Sequence, residues 1–386
     1  MQIRRLLFGL ALVMSATVQA HSPARSAPMD PGKVKAIIGN SADRFLAENP
    51  QAVGLSIGVI VRGRRYEYAF GRARRNQPGP PTPGTLYPIA SISKTFTGAL
   101  LARAQIEHRL KLSDDVRIHL EGAYPNLQFG GRPVRLFDLL DHRSGLPFLL
   151  PDRPETRPDY GGSSKSWNER VAEIGKNYGE ADFLSDLHTI VLRAEPGTSF
   201  IYSNAGAQLV GYVLERTYGK GFEAILGDKL LQPLHMANTM ITVRGRDARR
   251  LAIGYDATGK EMAPIPDWLQ GAGAIKSTLG DMLTYTKWQL AESDEAVKLS
   301  HLPVFTQGPY SAGLNWQMLQ ADSRRIVWQE GNIEGFNSLC ILEPELGIGL
   351  VILANEEDPE SAHGNTLMAN EILHALSADA VLLPTT

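Results

Sequence analysis

Ala90-Ser91-Ile92-Ser93-Lys94-Thr95-Phe96 is the stretch on which the reading of this chain turns. The residues before it, Pro80-Pro81-Thr82-Pro83-Gly84-Thr85-Leu86-Tyr87-Pro88, cannot be regular helix, because proline lacks the N–H and clashes with the preceding turn. The residues after it, Thr95 through Arg109, read as a helix with Leu100, Leu101, Ala104 and Ile106 as apolar positions. Ser91 is therefore expected at a helix N-terminus, where unpaired N–H groups and the helix dipole favour developing negative charge. Side chains three residues apart share a helix face, so Lys94 is placed within reach of Ser91. A serine hydroxyl is a weak nucleophile until a base takes its proton, and a lysine held in a desolvated pocket is one such base. The same tetrapeptide also fits a capped surface helix with a solvated lysine, so its meaning depends on the rest of the chain.

The chain has 386 residues, 43% of them hydrophobic and 21% charged, and a formal net charge of -2. That is ordinary globular composition, enough for one large domain or two interleaved lobes. Near-neutral charge and the lack of a basic stripe with interleaved aromatics argue against a nucleic-acid partner. Clusters such as Arg62-Gly63-Arg64-Arg65 and Arg72-Ala73-Arg74-Arg75 are expected on a solvated hairpin edge. Arg4-Arg5, the apolar run Leu6 to Val13 and the small-x-small pattern Val18-Gln19-Ala20 read as a cleavable signal peptide over 1–20. A flexible tail over 21–31 and a single catalytic domain over 32–386 follow, with no stable membrane span after signal removal and a periplasmic or secreted location expected. The one cysteine, Cys340, lies in an apolar strand-like run, which leaves no disulfide and no cysteine metal site. The nine histidines show no His-Glu-x-x-His spacing, so neither metal nor cofactor is expected, and the partner would be a small-molecule or peptide substrate.

Val34, Ile37, Ile38, Phe45 and Leu46 recur at helical spacing and open the domain. Ala52 to Val61, the turn Arg62-Gly63 and Arg65 to Phe70 make a hairpin. Strand character returns in 314–319, 326–329, 336–342 and 348–353, before a last helix over 361–376. The expected fold class is α+β: an antiparallel sheet built from both chain termini, flanked by helices, with a mostly helical lobe inserted over about 91–302. Residues 151–180 open polar and rich in Gly, Pro and Ser, as an insertion or lid would. The site is expected between the two lobes.

Two further motifs carry chemistry. Tyr202-Ser203-Asn204 precedes a helix over about 206–218. A tyrosine on such a loop presents its hydroxyl to a cleft, and a neighbouring cation would lower its pKa enough for general-base work. Asn204 offers a donor and an acceptor to a substrate amide, although the tripeptide also fits a plain helix cap. Gln329-Glu330-Gly331-Asn332 lies at a strand end near Gly335-Phe336, where a strand edge can supply a backbone N–H to an oxyanion, a donor worth about 3 kcal/mol of transition-state stabilisation. Alone, it is an ordinary turn between strands.

In this order the three motifs resemble those of the serine β-lactamase and penicillin-binding-protein-like family, in its class C, esterase and D-aminopeptidase branch. Leu139-Leu140-Asp141-His142-Arg143-Ser144-Gly145-Leu146-Pro147 is similar to the family's LLTHTSGLP segment. Pro196-Gly197-Thr198 through Tyr202-Ser203-Asn204-Ala205-Gly206 is similar to its PG…YSN-x-G stretch, and Pro233-Leu234-His235-Met236 to its PLGM. The resemblance implies a β-lactamase/transpeptidase-like fold and an acyl-enzyme on Ser91. It further implies proton transfer shared by Lys94 and Tyr202, substrate held by Asn204, and an oxyanion hole from the N–H groups of Ser91 and Asn332. Gln329 and Gly331 belong to the third motif, where the family usually carries Lys-Thr-Gly or His-x-Gly. With a neutral Gln329 and an added Glu330, carboxylate-bearing substrates such as β-lactams and D-alanine-terminated peptides should bind less well, unless Arg324 or Arg325 restores a cation. The expected function is an exported serine hydrolase cleaving an ester or amide. The alternative is a catalytically weak relative that binds cell-wall peptides or β-lactams.

Gly54-Leu55-Ser56-Ile57-Gly58 matches the nucleophile-elbow pattern, but that chemistry needs a strand, a sharp turn and then a helix. Here the run continues as strand, so Ser56 is read as a sheet residue facing a helix. His142 is expected to pack or hydrogen-bond, and Asp114-Asp115 to form a capped turn with solvated acids.

Overall fold

The structure, a computed structural model, describes residues 29–157, 160–163, 165–262, 267–333, 335–356 and 359–385. The expected signal peptide lies outside the described residues, as does most of the expected tail. The last tail residues are already part of the fold. Asp30 caps helix α1 (Pro31–Glu48) by accepting the Gly32 N–H, and Met29 is buried.

Strands β1 (Gly54–Val61) and β2 (Arg64–Gly71) form the N-terminal hairpin. The other six strands come from the C-terminal part: β3 (Phe305–Gln307), β4 (Tyr310–Ala312), β5 (Gln317–Ala321), β6 (Arg324–Ile333), β7 (Phe336–Glu343) and β8 (Ile348–Ala354). They make one antiparallel sheet of order β2-β1-β8-β7-β6-β5-β4-β3, in which β1 pairs with β8 through Leu55 opposite Ala354 and Ile57 opposite Ile352. The sheet is therefore closed across the two chain ends. β3 and β4 were not foreseen, being three residues each, too short for an alternating pattern to show. Residues 314–316, expected as strand, are loop, and β5 begins only at Gln317.

β1 is buried along its whole length because both faces of the sheet are covered. Leu55, Ile57, Val59 and Val61 pack with α1 and with α5 (Pro359–Leu376), against Ile38, Phe45, Met368 and Ile372. The alternate residues meet helix α4 (Leu279–Ala291). A methyl group on Gly58 would lie 2.6 Å from a Leu283 methyl, so glycine is what lets α4 lie this close. Ser56 is on that face, its hydroxyl 3.0 Å from Tyr87 Oη, a sheet residue with no elbow around it. The Arg62-Gly63 turn and the exposed arginines of β2 form the solvated hairpin edge.

Between β2 and β3 the chain is mostly helix and loop. Its centre is α2 (Ser93–Ile106), whose residues from Ser93 to Ala102 are all buried. α3 (Asn204–Tyr218) packs beside it. Buried hydroxyls on α2 are satisfied internally: Thr95 Oγ1 donates to Ile92 O and Thr97 Oγ1 to Gly271 O. His235 has φ 56°, a left-handed conformation that explains why the resembling segment usually carries glycine there. Asp115 caps a turn by accepting the Arg117 N–H, and Asp114 accepts from Lys111 N. Among the described residues no helix is long and apolar enough to cross a membrane.

At the outer end of β7, burial pushes the Glu343 carboxyl up to about 7, while one of its oxygens accepts the Val381 N–H. The folded chain holds this proton more tightly than the unfolded chain. Stability is thus undiminished below the ordinary glutamate range, falls as pH rises toward 7, and stays reduced above it. Glu343→Gln keeps an acceptor for Val381 and removes the charge. It is expected to raise the stability at pH 8 by roughly 1 kcal/mol or more and to change little at pH 4, as checked by denaturant melts at both pH values.

Candidate active site

Ser91 is in a single 3-10 turn, Ala90–Ile92, that runs into α2, rather than at the cap position of the α-helix. Ala90 has φ 46°, a left-handed conformation unfavourable for a residue with a Cβ. Three contacts hold it: Ile89 N–H donates to Ile275 O, Ser338 Oγ donates to Ile89 O, and the backbone of Gly331 lies against Ser91. Backbone strain enforced by its surroundings in this way turns the Ser91 side chain out of the helix register and toward a cavity of about 380 Å³ between the lobes.

The sequence-predicted groups converge on that cavity. Lys94 Nζ is 2.8 Å from Ser91 Oγ and donates to Ala272 O at 2.7 Å. Tyr202 Oη donates to Ser91 Oγ at 2.6 Å. Asn204, Gln329 and Asn332 line the same cavity. Ser203 between them is the cap of α3, accepting the Gly206 N–H while donating to Pro147 O. The motif is thus both a cap and a site, with Tyr202 and Asn204 displayed on either side of the capping serine. The His142 ring lies 4.3 Å from the Tyr202 ring, tilted to it by 37°, and its Nδ1 accepts the Ser203 N–H, a packing and hydrogen-bonding contact of the kind expected.

Electrostatics corrects one expectation. Lys94 is fully buried with no acidic partner among the described residues, and burial lowers its pKa to about 7. The Tyr202 phenol, expected to be lowered by a neighbouring cation, is instead pushed up, because burial penalises the phenolate more than the hydrogen bond to Ser91 relieves it. Near neutral pH the amine is partly unprotonated and the phenol keeps its proton. Of the two groups bonded to Ser91, Lys94 is the one that burial favours without its proton. Burial likewise drives His142 down to about 3, so the imidazole is neutral.

Gln329 is buried and tied to the protein: Nε2 donates to Asn315 O at 3.0 Å, and Oε1 accepts the Glu330 N–H. Neither Arg324 nor Arg325 replaces the missing cation. Arg325 is paired with Glu292 and Glu345, and Arg324 with Asp379. The β5–β6 ladder ends at Trp328, so the β6 edge beyond it, carrying Glu330 and Asn332, is open to the cavity. From the 151–180 segment Trp167 reaches the lining, edge-on to Phe148 at 5.9 Å.

Two parts of the site had no sequence motif. The Ala272 carbonyl is brought to Lys94 by Gly271-Ala272-Gly273, where a Cβ on Gly271 would lie 2.6 Å from Ala207 O; the run of small residues was the available signal. Asn315, in the loop before β5, donates to Lys94 O and has φ 61°, with nothing in its surroundings in sequence to mark it.

A two-lobed α+β fold with a serine, a buried lysine and a tyrosine meeting at the lobe interface has counterparts among known proteins. The Beta-lactamase family model matches residues 42–373, and the chain belongs to that family of serine hydrolases. A beta-lactamase of Pseudomonas fluorescens is 24% identical over 364 residues, covering 82% of this chain and 92% of the relative. One of Escherichia coli (strain K12) is 26% identical over 374 residues, covering 86% and 91%. The crystal structure of a beta-lactamase/D-alanine carboxypeptidase from Yersinia pestis complexed with citrate superposes with a TM-score of 0.75 at 23% identity, over 89% of this chain and 99% of that one. This last likeness bears on the fold.

A Cβ on Gly331 would lie 2.6 Å from Ile89 O and 2.8 Å from Ser91 N. Gly331→Ala is therefore expected to push β6 off the Ser91 turn and to slow covalent labelling of Ser91 about a hundredfold, the usual effect of ångström-scale misplacement. Mass spectrometry of the protein treated with a fluorophosphonate, alongside a melting curve to establish folding, checks this.

Proposed function

We propose that the protein is an exported hydrolase that cleaves an ester or amide through an acyl-enzyme on Ser91, with the N-terminal 1–20 segment as its export signal. The observation that carries this reading is the pair of hydrogen bonds at Ser91 Oγ, 2.8 Å from Lys94 Nζ and 2.6 Å from Tyr202 Oη. In acylation the Ser91 oxygen bonds to the substrate carbonyl carbon and its proton passes to the unprotonated Lys94 amine. The carbonyl oxygen becomes an oxyanion between the N–H groups of Ser91 and Asn332. As the carbon–leaving-group bond breaks, the leaving group takes the Tyr202 proton, and the Lys94 ammonium restores it through the hydrogen bonds around Ser91. Water then enters by the reverse sequence, losing its proton to the same base, and regenerates Ser91. Asn204 supplies a donor and an acceptor to the acyl side.

Ester and amide hydrolysis ranks above efficient β-lactam turnover, because the lining among the described residues holds no lysine or arginine to meet a substrate carboxylate. A purely binding role is less consistent with a strained Ser91 turn and a lysine kept buried with no counter-ion among the described residues, both of which cost stability.

A fluorophosphonate is expected to add its mass to the wild type and not to Ser91→Ala. An unlabelled wild type, or ester turnover by Ser91→Ala, overturns the reading. The pH profile follows from Lys94. Below about 7 the amine carries its proton and cannot take another, so kcat/KM on a neutral nitrophenyl ester should rise with pH through an inflection near 7. Lys94→Ala should lose that limb and about 10²–10⁴-fold in rate.

A further inference from the structure

Glu330 is the only carboxylate on the cavity lining that has no ion-pair or side-chain hydrogen-bond partner among the described residues; the other, Asp141, is held by Arg143 at 2.5 Å. Glu330 is solvent-accessible on the open β6 edge, yet it sits in a concave mouth whose surrounding protein raises its carboxyl above the usual range. On its outer side it shares an adjoining groove with His363, Trp328 and Gln317, none of which is bonded to its carboxylate. Along the strand it stands two residues before Asn332, a span of about 7 Å. An unpaired negative charge focused into a cavity attracts a cation and repels an anion. Phe148, Trp167, Phe200 and Trp316 are among the residues lining the space, and aromatic rings accept alkyl groups and organic cations alike. The chemistry of this wall is that of a cation site.

Resting on the hydrolase reading above, we propose that Glu330 is a specificity-determining residue, which binds an ammonium or quaternary ammonium group carried a few bonds from the scissile ester or amide. The enzyme then prefers cationic substrates and disfavours those with a carboxylate at that place.

Three thioesters of one acid test this: butyrylthiocholine, its neutral carbon isostere 3,3-dimethylbutyl thiobutyrate, and the 2-carboxyethyl thioester. The thiol released is followed by colour. In the wild type the cationic ester should exceed the neutral one in kcat/KM by about tenfold, the worth of one charge-assisted contact, with the anionic ester slowest. Raised ionic strength should shrink the ratio. In Glu330→Gln the cationic-to-neutral ratio should fall to about one, and in Glu330→Lys the anionic ester should overtake the cationic one. Because the readout is a ratio within one protein, a general loss of activity in a variant does not imitate it. Equal turnover of the three esters by a wild type that is labelled on Ser91 overturns the role of Glu330 and leaves the hydrolase standing. A wild type neither labelled nor active on any of them overturns both. A ratio unchanged in Glu330→Gln assigns the preference elsewhere and likewise overturns the proposal.

Discussion

A lysine amine sealed in the protein with no counter-ion among the described residues, hydrogen-bonded to the hydroxyl of Ser91, is the contact on which the site depends. An ammonium in such a place costs several kcal/mol of desolvation, and the chain avoids that cost by letting the proton leave at moderate pH. The surroundings are arranged for this. α2 is buried on nearly every side, and the Ala272 carbonyl and Ser91 hydroxyl give Lys94 Nζ dipoles rather than charges. Asn315 fixes the backbone of Lys94 from the opposite direction. The same desolvation acts on Tyr202 with the opposite outcome, holding its proton on. One environment thus separates two groups of similar ordinary pKa, favouring the unprotonated amine and the protonated phenol.

What could be read from the sequence was what is local or periodic. The Ser91–Lys94 relation follows from helix spacing, and β1 and β2 follow from a β-rich run broken by Arg62-Gly63. The strand near Gln329 and the helix after Ser203 were each placed to within a few residues. The resemblance in segments such as Leu139–Pro147 then tied the motifs into one fold. What was hidden depends on burial and on contacts between distant segments. The direction of the Tyr202 shift could not be read, because a neighbouring cation and a dry pocket push a phenol in opposite ways and only the packing says which prevails. The pairing of Arg325 with Glu292 and Glu345 was hidden for the same reason. The Ala272 carbonyl, a backbone atom, leaves no signature in residue types.

In the third motif the charge of the strand departs from the resembling pattern while its backbone still packs against Ser91. Gly331 keeps the backbone of β6 pressed against the Ser91 turn, while Gln329 is drawn into hydrogen bonds with Asn315 and the Glu330 N–H. The position that would carry a cation is neutral and occupied, and its neighbour on the cavity side is acidic. Shape and charge at the cavity are therefore set by separate atoms of one strand: the main chain of Gly331 by its contact with the Ser91 turn, and the side chains of Gln329 and Glu330 by the charge they present.

The pairing of β1 with β8 has a consequence for folding. The sheet that braces the Ser91 turn pairs strands separated by nearly 300 residues. Such long-range pairing is completed late and slowly. Until β6 and β7 dock, Gly331 and Ser338 are not in place to hold the turn, so a partly folded chain carries the serine and lysine without that bracing. Alignment of Ser91 is thus a property of the assembled sheet and not of the short segment that carries it.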